Sequence, residues 1–369
     1  MATKHTLDRI LLGTVALLVV GGFMIFSSAS LGLLARSGAS FSSVALSQFF
    51  FGILGGGAAL FLMSSIHYRF WRQYAFYIFL FTLALTLLVF IPGFGFAHGG
   101  AVRWLQFGSF TFQPAEFLKI GFVIYMATWL SGMYRHAHTF KLGTLPFIGF
   151  VGAVGIIMLL QPDTDTFLVM AAAGVAMFLT AGGRFRDVLL MGLAGIALIA
   201  ALAFSRPYVM DRITTFVNPD SDPLGASYQV HQSLIAVGSG GGFGRGFGQS
   251  IQKFEYLPEP IGDSIFAVYA EEFGFLGTFL LVILFCGFAF RGYRIATHAP
   301  DLFGTLLVIG FITLIVVQAF LNIAAMLALA PLGGLPLPFI SHGGTALLVT
   351  LGSVGIVLNV SKYQKRSAK

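Results

Sequence analysis

Charge is what this chain has least of. Asp, Glu, Lys and Arg make up 9% of its 369 residues, against about a quarter in soluble domains. Set beside 57% hydrophobic residues, that scarcity excludes a soluble fold and implies one polytopic membrane domain over residues 1–369. Cysteine is nearly absent. The lone Cys286 excludes an intramolecular disulfide and a thiolate metal centre. The glycine-rich tract at 238–248 lacks the Lys-Ser/Thr ending and the strand–helix setting of a nucleotide-binding loop.

What the chain does have is long apolar runs. Stretches able to cross a hydrocarbon core of ~30 Å lie near 10–29, 45–66, 75–92, 113–131, 144–161, 165–182, 187–204, 264–290, 303–330 and 342–360. The first follows Lys4 and Arg9 but has no small-residue cleavage site, so it reads as a retained helix. The expected fold is therefore all-α, with about ten transmembrane helices and both termini on one side. Fourteen of the 21 basic residues, among them Arg69, Arg72, Arg135, Lys141, Arg184, Arg186, Arg291, Arg294, Lys362, Lys365, Arg366 and Lys369, fall on that side. The positive-inside rule makes it cytoplasmic. Arg36, Arg103, Arg206, Arg212, Arg245 and Lys253 fall outside. The net charge of +7 is thus a matter of topology and not a nucleic-acid surface.

Carboxylates are biased the other way. Asp163, Asp165, Asp211, Asp220, Asp222, Glu255, Glu259 and Asp263 belong to the outer face, and only Asp8, Asp187 and Asp301 to the inner one. Most of the outer ones sit in a polar island at 205–264, a large extracytoplasmic loop between helices 7 and 8. A mere connection needs a few residues, so the chemistry is expected here.

Four outer constellations stand out. In GAVRW (100–104) and FQPAEFLK (112–119), Glu116 and Lys119 are three apart and share a helical face. They read either as a helix-locking salt bridge or as the wall of a polar cavity. QPDTDT (161–166) is a short turn, or supplies Asp163 and Asp165 to a divalent cation. The glycine tract packs closely against helices, or brings N–H groups to an anion with Arg245 and Lys253 as phosphate contacts. In YLPEPIGDSIFAVYAEE (256–272), Asp263 stands at the mouth of a helix as a cap or as a general base, with Glu271 and Glu272 two turns deeper. The fourth, PLGGLPLPFISHGG (331–344), reads as a protein-buried loop.

In this order the motifs resemble the SEDS family of cell-wall proteins, whose known types are FtsW and RodA. The strongest parts are DPLGASYQVHQSLIAVGSGG (222–241), GFGQSIQKFEYLPEP (246–260) and GLPLPFISHGG (334–344), and QSIQKFEYLPE leans toward FtsW. The resemblance covers essentially the whole chain. It implies a plasma-membrane peptidoglycan glycosyltransferase, an inverting lipid II polymerase, working in division or elongation with a class B penicillin-binding protein (an FtsI-like transpeptidase) and other divisome proteins. It places the essential acid on Asp263 and the cavity-lining pair on Glu116 and Lys119; Arg103, Arg245, Lys253, Glu271 and Ser341 are further candidate substrate contacts. Mg2+ or Mn2+ is a candidate counter-ion, with no organic cofactor. The chain departs from the family pattern at Ile261 and Ser264, where His and Phe are usual, at Asp165, where Gly is usual, and at His342, where Tyr is usual. His231 and His342 are possible replacements for the helper histidine. A lipid-linked precursor flippase is the main alternative, yet Lys119 is the one basic residue within the spans. A non-catalytic division scaffold is the other.

Overall fold

The computed structural model describes residues 7–35, 41–98, 101–107, 110–205, 207–219, 222, 225 and 227–364. Lys4, Arg36, Arg206, Asp220, Lys365, Arg366 and Lys369 lie outside the described residues. Helix occupies every apolar stretch expected to hold it. In order these are α1 (Arg9–Ser30), then α2 (Phe41–Ser47) continued by a π-helical run Gln48–Gly55 and α3 (Gly56–Ser65), and α4 (Arg69–Leu87). A three-stranded sheet follows: β1 (Gly95–His98), β2 (Ala101–Phe107) and β3 (Phe110–Phe112). After it come α5 (Pro114–Gly132), α6 (Leu145–Leu160), α7 (Thr164–Thr180), α8 (Phe185–Ser205), α9 (Pro207–Val217), α10 (Tyr228–Gly240), α11 (Ile265–Thr297), α12 (Leu302–Met326) and α13 (Gly344–Lys362). Among the described residues, seven helical segments are long and apolar enough to cross a membrane.

One expectation changes. The fold is mostly helical but not all-α, because the antiparallel sheet pairs β1 with β2 and β2 with β3. The polar island is structured and contains α9 and α10. Helix α10 buries Val230, Ser233, Ala236 and Gly240, a 3–4-residue spacing that packs one stripe against α11.

Polar contacts between helix ends sort into two groups. At one end of the bundle the Tyr68 hydroxyl donates to Asp301 (2.8 Å), Asn359 Nδ2 to the Ser64 carbonyl (2.7 Å), and Arg291 pairs with Asp8 (2.7 Å). At the other, which carries the island, Gln113 donates to Asp163, Arg212 to Asp165 and Ser341 to the Gly262 carbonyl. Helices α5, α7 and α12 fill the middle, with Phe122, Val123, Met126, Met177, Phe311 and Ile312 wholly enclosed. Helix α4 turns Phe76, Tyr77, Leu80 and Phe81 outward, as lipid-facing positions do. In lipid such helices associate by close packing and polar contacts, not by hiding apolar surface.

The 33 residues of α11 are interrupted at Gly274 (φ 63°, ψ −162°). Residues 275–297 alone span about 35 Å, enough for a bilayer. A helix break strands backbone groups, and the glycine tract satisfies them. Arg245 and Gly246 N–H donate to the Glu271 and Glu272 carbonyls (3.0 and 2.9 Å), while Phe275 and Leu276 N–H donate to the Gly241 and Gly242 carbonyls (2.8 and 3.1 Å). Of the two readings of this tract, close packing is the one observed. The N–H groups of Gly244, Arg245 and Gly246 are all spent on protein carbonyls, so they form no anion nest. Replacing Gly274 with Ala would place Cβ 2.3 Å from the Gly244 nitrogen at a positive φ. We expect a loss of at least 1–3 kcal/mol, read as a lower thermal-unfolding midpoint in detergent.

Candidate active site

Three segments converge at the island end. The first is β2, where Arg103 and Leu105 share a face because strand side chains alternate. Leu105 is fully buried, which turns Arg103 inward too. Its Nε donates to the Gln161 carbonyl (3.3 Å), its Nη2 to the Pro162 carbonyl, and its Nη1 lies 4.0 Å from Asp163. The second is the α6–α7 turn. Asp163 caps α7 through the Thr166 N–H and accepts from Gln113 Nε2 (2.9 Å). Burial pushes its carboxyl upward, against the pull of Arg103. Asp165, in the first turn of α7, takes Arg212 Nη1 on both oxygens (3.0 and 2.9 Å).

The third loop, 331–343, is held to the segment around Asp263 by a row of hydrogen bonds. The Ser341 hydroxyl donates to the Gly262 carbonyl (2.8 Å) and accepts from Leu337 N–H (2.7 Å), and His342 N–H donates to the Ile261 carbonyl (2.7 Å). Two α12 amides one turn apart complete the framework. Asn322 Nδ2 donates to the backbone carbonyls of Asp263 (2.8 Å) and Leu335 (2.7 Å). Gln318 Nε2 donates to the Pro336 carbonyl (2.8 Å), and its Oε1 accepts from Lys119 (2.9 Å). Lys119 also pairs with Glu116 at 2.8 Å, so the expected salt bridge exists and is tied through Gln318 to this loop. The second Glu116 oxygen, Oε2, is buried without a partner. Neither α12 amide was singled out from the sequence, since an Asn and a Gln inside an apolar run carry no motif. We expect Asn322→Ala to leave two buried carbonyls without their donor, costing about 1–3 kcal/mol, measurable as a lower unfolding midpoint.

Asp263 sits at the focus. A side chain placed on Gly334 would point at both Asp263 Oδ2 and Arg103 Nη1, each 3.6 Å from that Cβ. The Gly334 N–H itself donates to Asp165 (3.2 Å). Among the described residues no donor rests on the Asp263 carboxylate. Burial, then the nearby Glu259 and Asp165 carboxylates, push its pKa up to about 7, against the opposing pull of Arg103 and Arg212. The result is a half-buried carboxylate facing the Arg103 guanidinium across Gly334, without a hydrogen-bond donor among the described residues and poised near neutrality. Such a group can take a proton from a hydroxyl beside cations able to hold a phosphate.

Lys253 and Glu271 are spent on contacts within the protein. Lys253 is completely enclosed, donating to Glu272 (2.8 Å), the Ser28 hydroxyl (3.0 Å) and the Gly248 carbonyl (2.8 Å). Glu271 accepts from the Ser250 hydroxyl (2.5 Å) and from Ile251 and Gln252 N–H, and Arg245 lies 3.5 Å from it. These residues clasp the 248–253 segment to α1 and α11. His231 Nε2 faces the Pro219 carbonyl, and the His342 ring stacks on Phe26. Ile261 is packed in the core, while Ser264 accepts from Gln229 of α10 (3.0 Å). For a metal the fit is poor. No group of three His, Cys, Asp or Glu is arranged around a common point among the described residues. Asp163 and Asp165 are already committed to Gln113 and Arg212.

Known proteins share this architecture. The chain is 39% identical to stage V sporulation protein E of Bacillus subtilis, over 99% of this chain and all of that protein. It is 39% identical to the "probable peptidoglycan glycosyltransferase FtsW" of Geobacter sulfurreducens, over 96% of this chain and 95% of the relative. Among solved structures, it superimposes on a chain of a peptidoglycan synthase complex described as coordinating polymerization and crosslinking (TM-score 0.78, 29% identity, covering 98% of this chain and 99% of that one). It also superimposes on the rod shape determining protein RodA of Thermus thermophilus (TM-score 0.70, 26% identity, with the same coverage). Residues 8–366 match the FtsW/RodA/SpoVE pattern, described as cell cycle proteins, and the chain belongs to that SEDS family of multi-pass membrane proteins.

Proposed function

We propose that this protein is a peptidoglycan glycosyltransferase that polymerises lipid II, with Asp263 as general base. One observation carries the reading: the Asp263 carboxylate, with no donor on it among the described residues, faces the Arg103 guanidinium across Gly334, and burial with the neighbouring carboxylates raises its pKa to about 7. The 4-hydroxyl of one disaccharide attacks C1 of the next, its proton passing to Asp263. The new C1–O bond forms as the C1–diphosphate bond breaks, and undecaprenyl diphosphate departs with the electron pair. Attack opposite an α-linked diphosphate gives a β-1,4 linkage with inversion. Arg103 and Arg212 steady the leaving charge. Glu116, Lys119 and Ser341 shape the cavity floor and hold the 331–343 loop, and Arg245, with more than a third of its side chain exposed, is a headgroup contact. Lys253 and Glu271 act by holding the 248–253 segment. Mg2+ or Mn2+ would arrive as a counter-ion of the diphosphate and not as a resident ion.

The charge bias supports ten crossings with cytoplasmic termini, and hence an active face outside the plasma membrane. Likeness to a synthase complex supports a class B penicillin-binding protein as partner, with other divisome proteins around it. Equal identity to sporulation and division relatives keeps this proposal at the level of the reaction. The test is polymerisation of lipid II by the purified pair with divalent metal present, comparing wild type with Asp263→Ala on a gel. Glycan from the wild type alone supports the reading. Glycan from both moves the base elsewhere, and glycan from neither, with folded protein, favours the flippase or the scaffold.

A further inference from the structure

We propose that Asp165 is a built-in anion that occupies the diphosphate position in the resting protein and must be displaced when substrate binds. This rests on the reading of the site given above. The carboxylate is held by one guanidinium nitrogen of Arg212 on both oxygens and by the Gly334 N–H. A guanidinium and a backbone amide are the donors a phosphate takes. The same Gly334 faces Arg103 and the catalytic carboxylate, so this anion sits beside the reacting centre. Both partners remain partly open, with 13% of the Asp165 side chain and 24% of the Arg212 side chain exposed, so an incoming anion can reach the pair. Helix α7 does not need Asp165 as its cap, because Asp163 already accepts from the Thr166 N–H.

Displacement has a thermodynamic signature. Substrate binding must break the Asp165–Arg212 pair, so the pair weakens affinity for substrate and for the departing diphosphate alike. Removing the charge tightens both, lowering KM without raising kcat. The charged groups facing Asp263 are Glu259, Asp165, Arg103 and Arg212. Losing Asp165 from that set also moves the acid limb of the pH–rate profile to lower pH.

Binding of radiolabelled undecaprenyl diphosphate in detergent micelles tests this without turnover. Asp165→Asn is expected to bind about threefold to tenfold tighter than wild type, with a smaller gain for undecaprenyl monophosphate. Adding Arg212→Gln should abolish the gain, and Asp165→Glu, which keeps the charge, should show none. Equal or weaker binding by a folded Asp165→Asn protein overturns the proposal, as does a gain that survives Arg212→Gln or appears in Asp165→Glu. Should Asp165→Asn unfold, Asp165→Ser takes its place under the same criteria. Tighter diphosphate binding in a protein that never polymerises lipid II would sink the enzymatic reading and leave the displaced anion standing.

Discussion

Asp263→Asn is expected to reduce lipid II polymerisation by about 10²–10⁴-fold, the usual contribution of a positioned general base, in a protein that folds normally. The second half of that statement follows from geometry. No donor among the described residues rests on the carboxylate, and the backbone here is held by Asn322 through the Asp263 carbonyl, which the substitution keeps. The charge state sets the pH dependence. A base must be ionised to accept a proton, and this one has a pKa raised to about 7. Activity should therefore rise with pH through about 7 and level off above it. Stability should run the opposite way. Because the folded pKa lies above the unfolded one, the folded state binds the proton more tightly and loses that advantage as pH rises between the two values. Asp263→Asn removes the loss, so its unfolding midpoint should exceed that of wild type increasingly from about pH 4 to about pH 7. A variant keeping a tenth of wild-type activity would exclude Asp263 as the base. A pH–rate profile flat from 5 to 8 would exclude the raised pKa.

Lys253→Met is expected to give the largest loss of stability, about 3–5 kcal/mol. Lys253 and Glu272 are both enclosed, 2.8 Å apart, with 0% and 1% of their side chains exposed. Removing one leaves the other as an uncompensated charge away from water. The Lys253 ammonium also bridges Ser28 of α1 and the Gly248 carbonyl, so the loss reaches the clasp that seats the island on the helices. The double variant Lys253→Met/Glu272→Gln should recover much of the midpoint, because no lone charge remains. Thermal unfolding in detergent measures both. The double variant separates two roles for Lys253. If its part is to hold the loop, polymerisation returns with stability; if it touches diphosphate, a restored fold stays inactive. A single variant as stable as wild type would contradict the buried pair itself.

Much of this was legible in the sequence because a bilayer leaves few choices. Every backbone polar group in hydrocarbon must bond within its own helix, so a long apolar run becomes a helix whatever its neighbours do. Prolines and glycines between runs marked the turns for the same reason. Asp263 and the 331–344 loop stood out as polar or irregular residues at the ends of such runs. The sheet at 95–112 was not legible: its strands are 3 to 7 residues long, and GAVRWLQF does not alternate apolar with polar. Helices α9 and α10 were hidden in a segment too polar to read as a span.

Sequence by itself determined the apolar helices and the family, and it singled out Asp263 as the candidate acid, because these depend on local composition and short motifs. Only the tertiary structure decided what surrounds that acid. Arg103 reaches the α6–α7 turn across 58 residues, Arg212 reaches Asp165 across 47, and Gly334 reaches Asp165 across 169. Lys253 was drawn to Glu272 and Ser28 instead of to the site, because an enclosed ammonium must find an acceptor wherever the packed helices present one. Such pairings are chosen by three-dimensional packing, and no spacing along the chain encodes them.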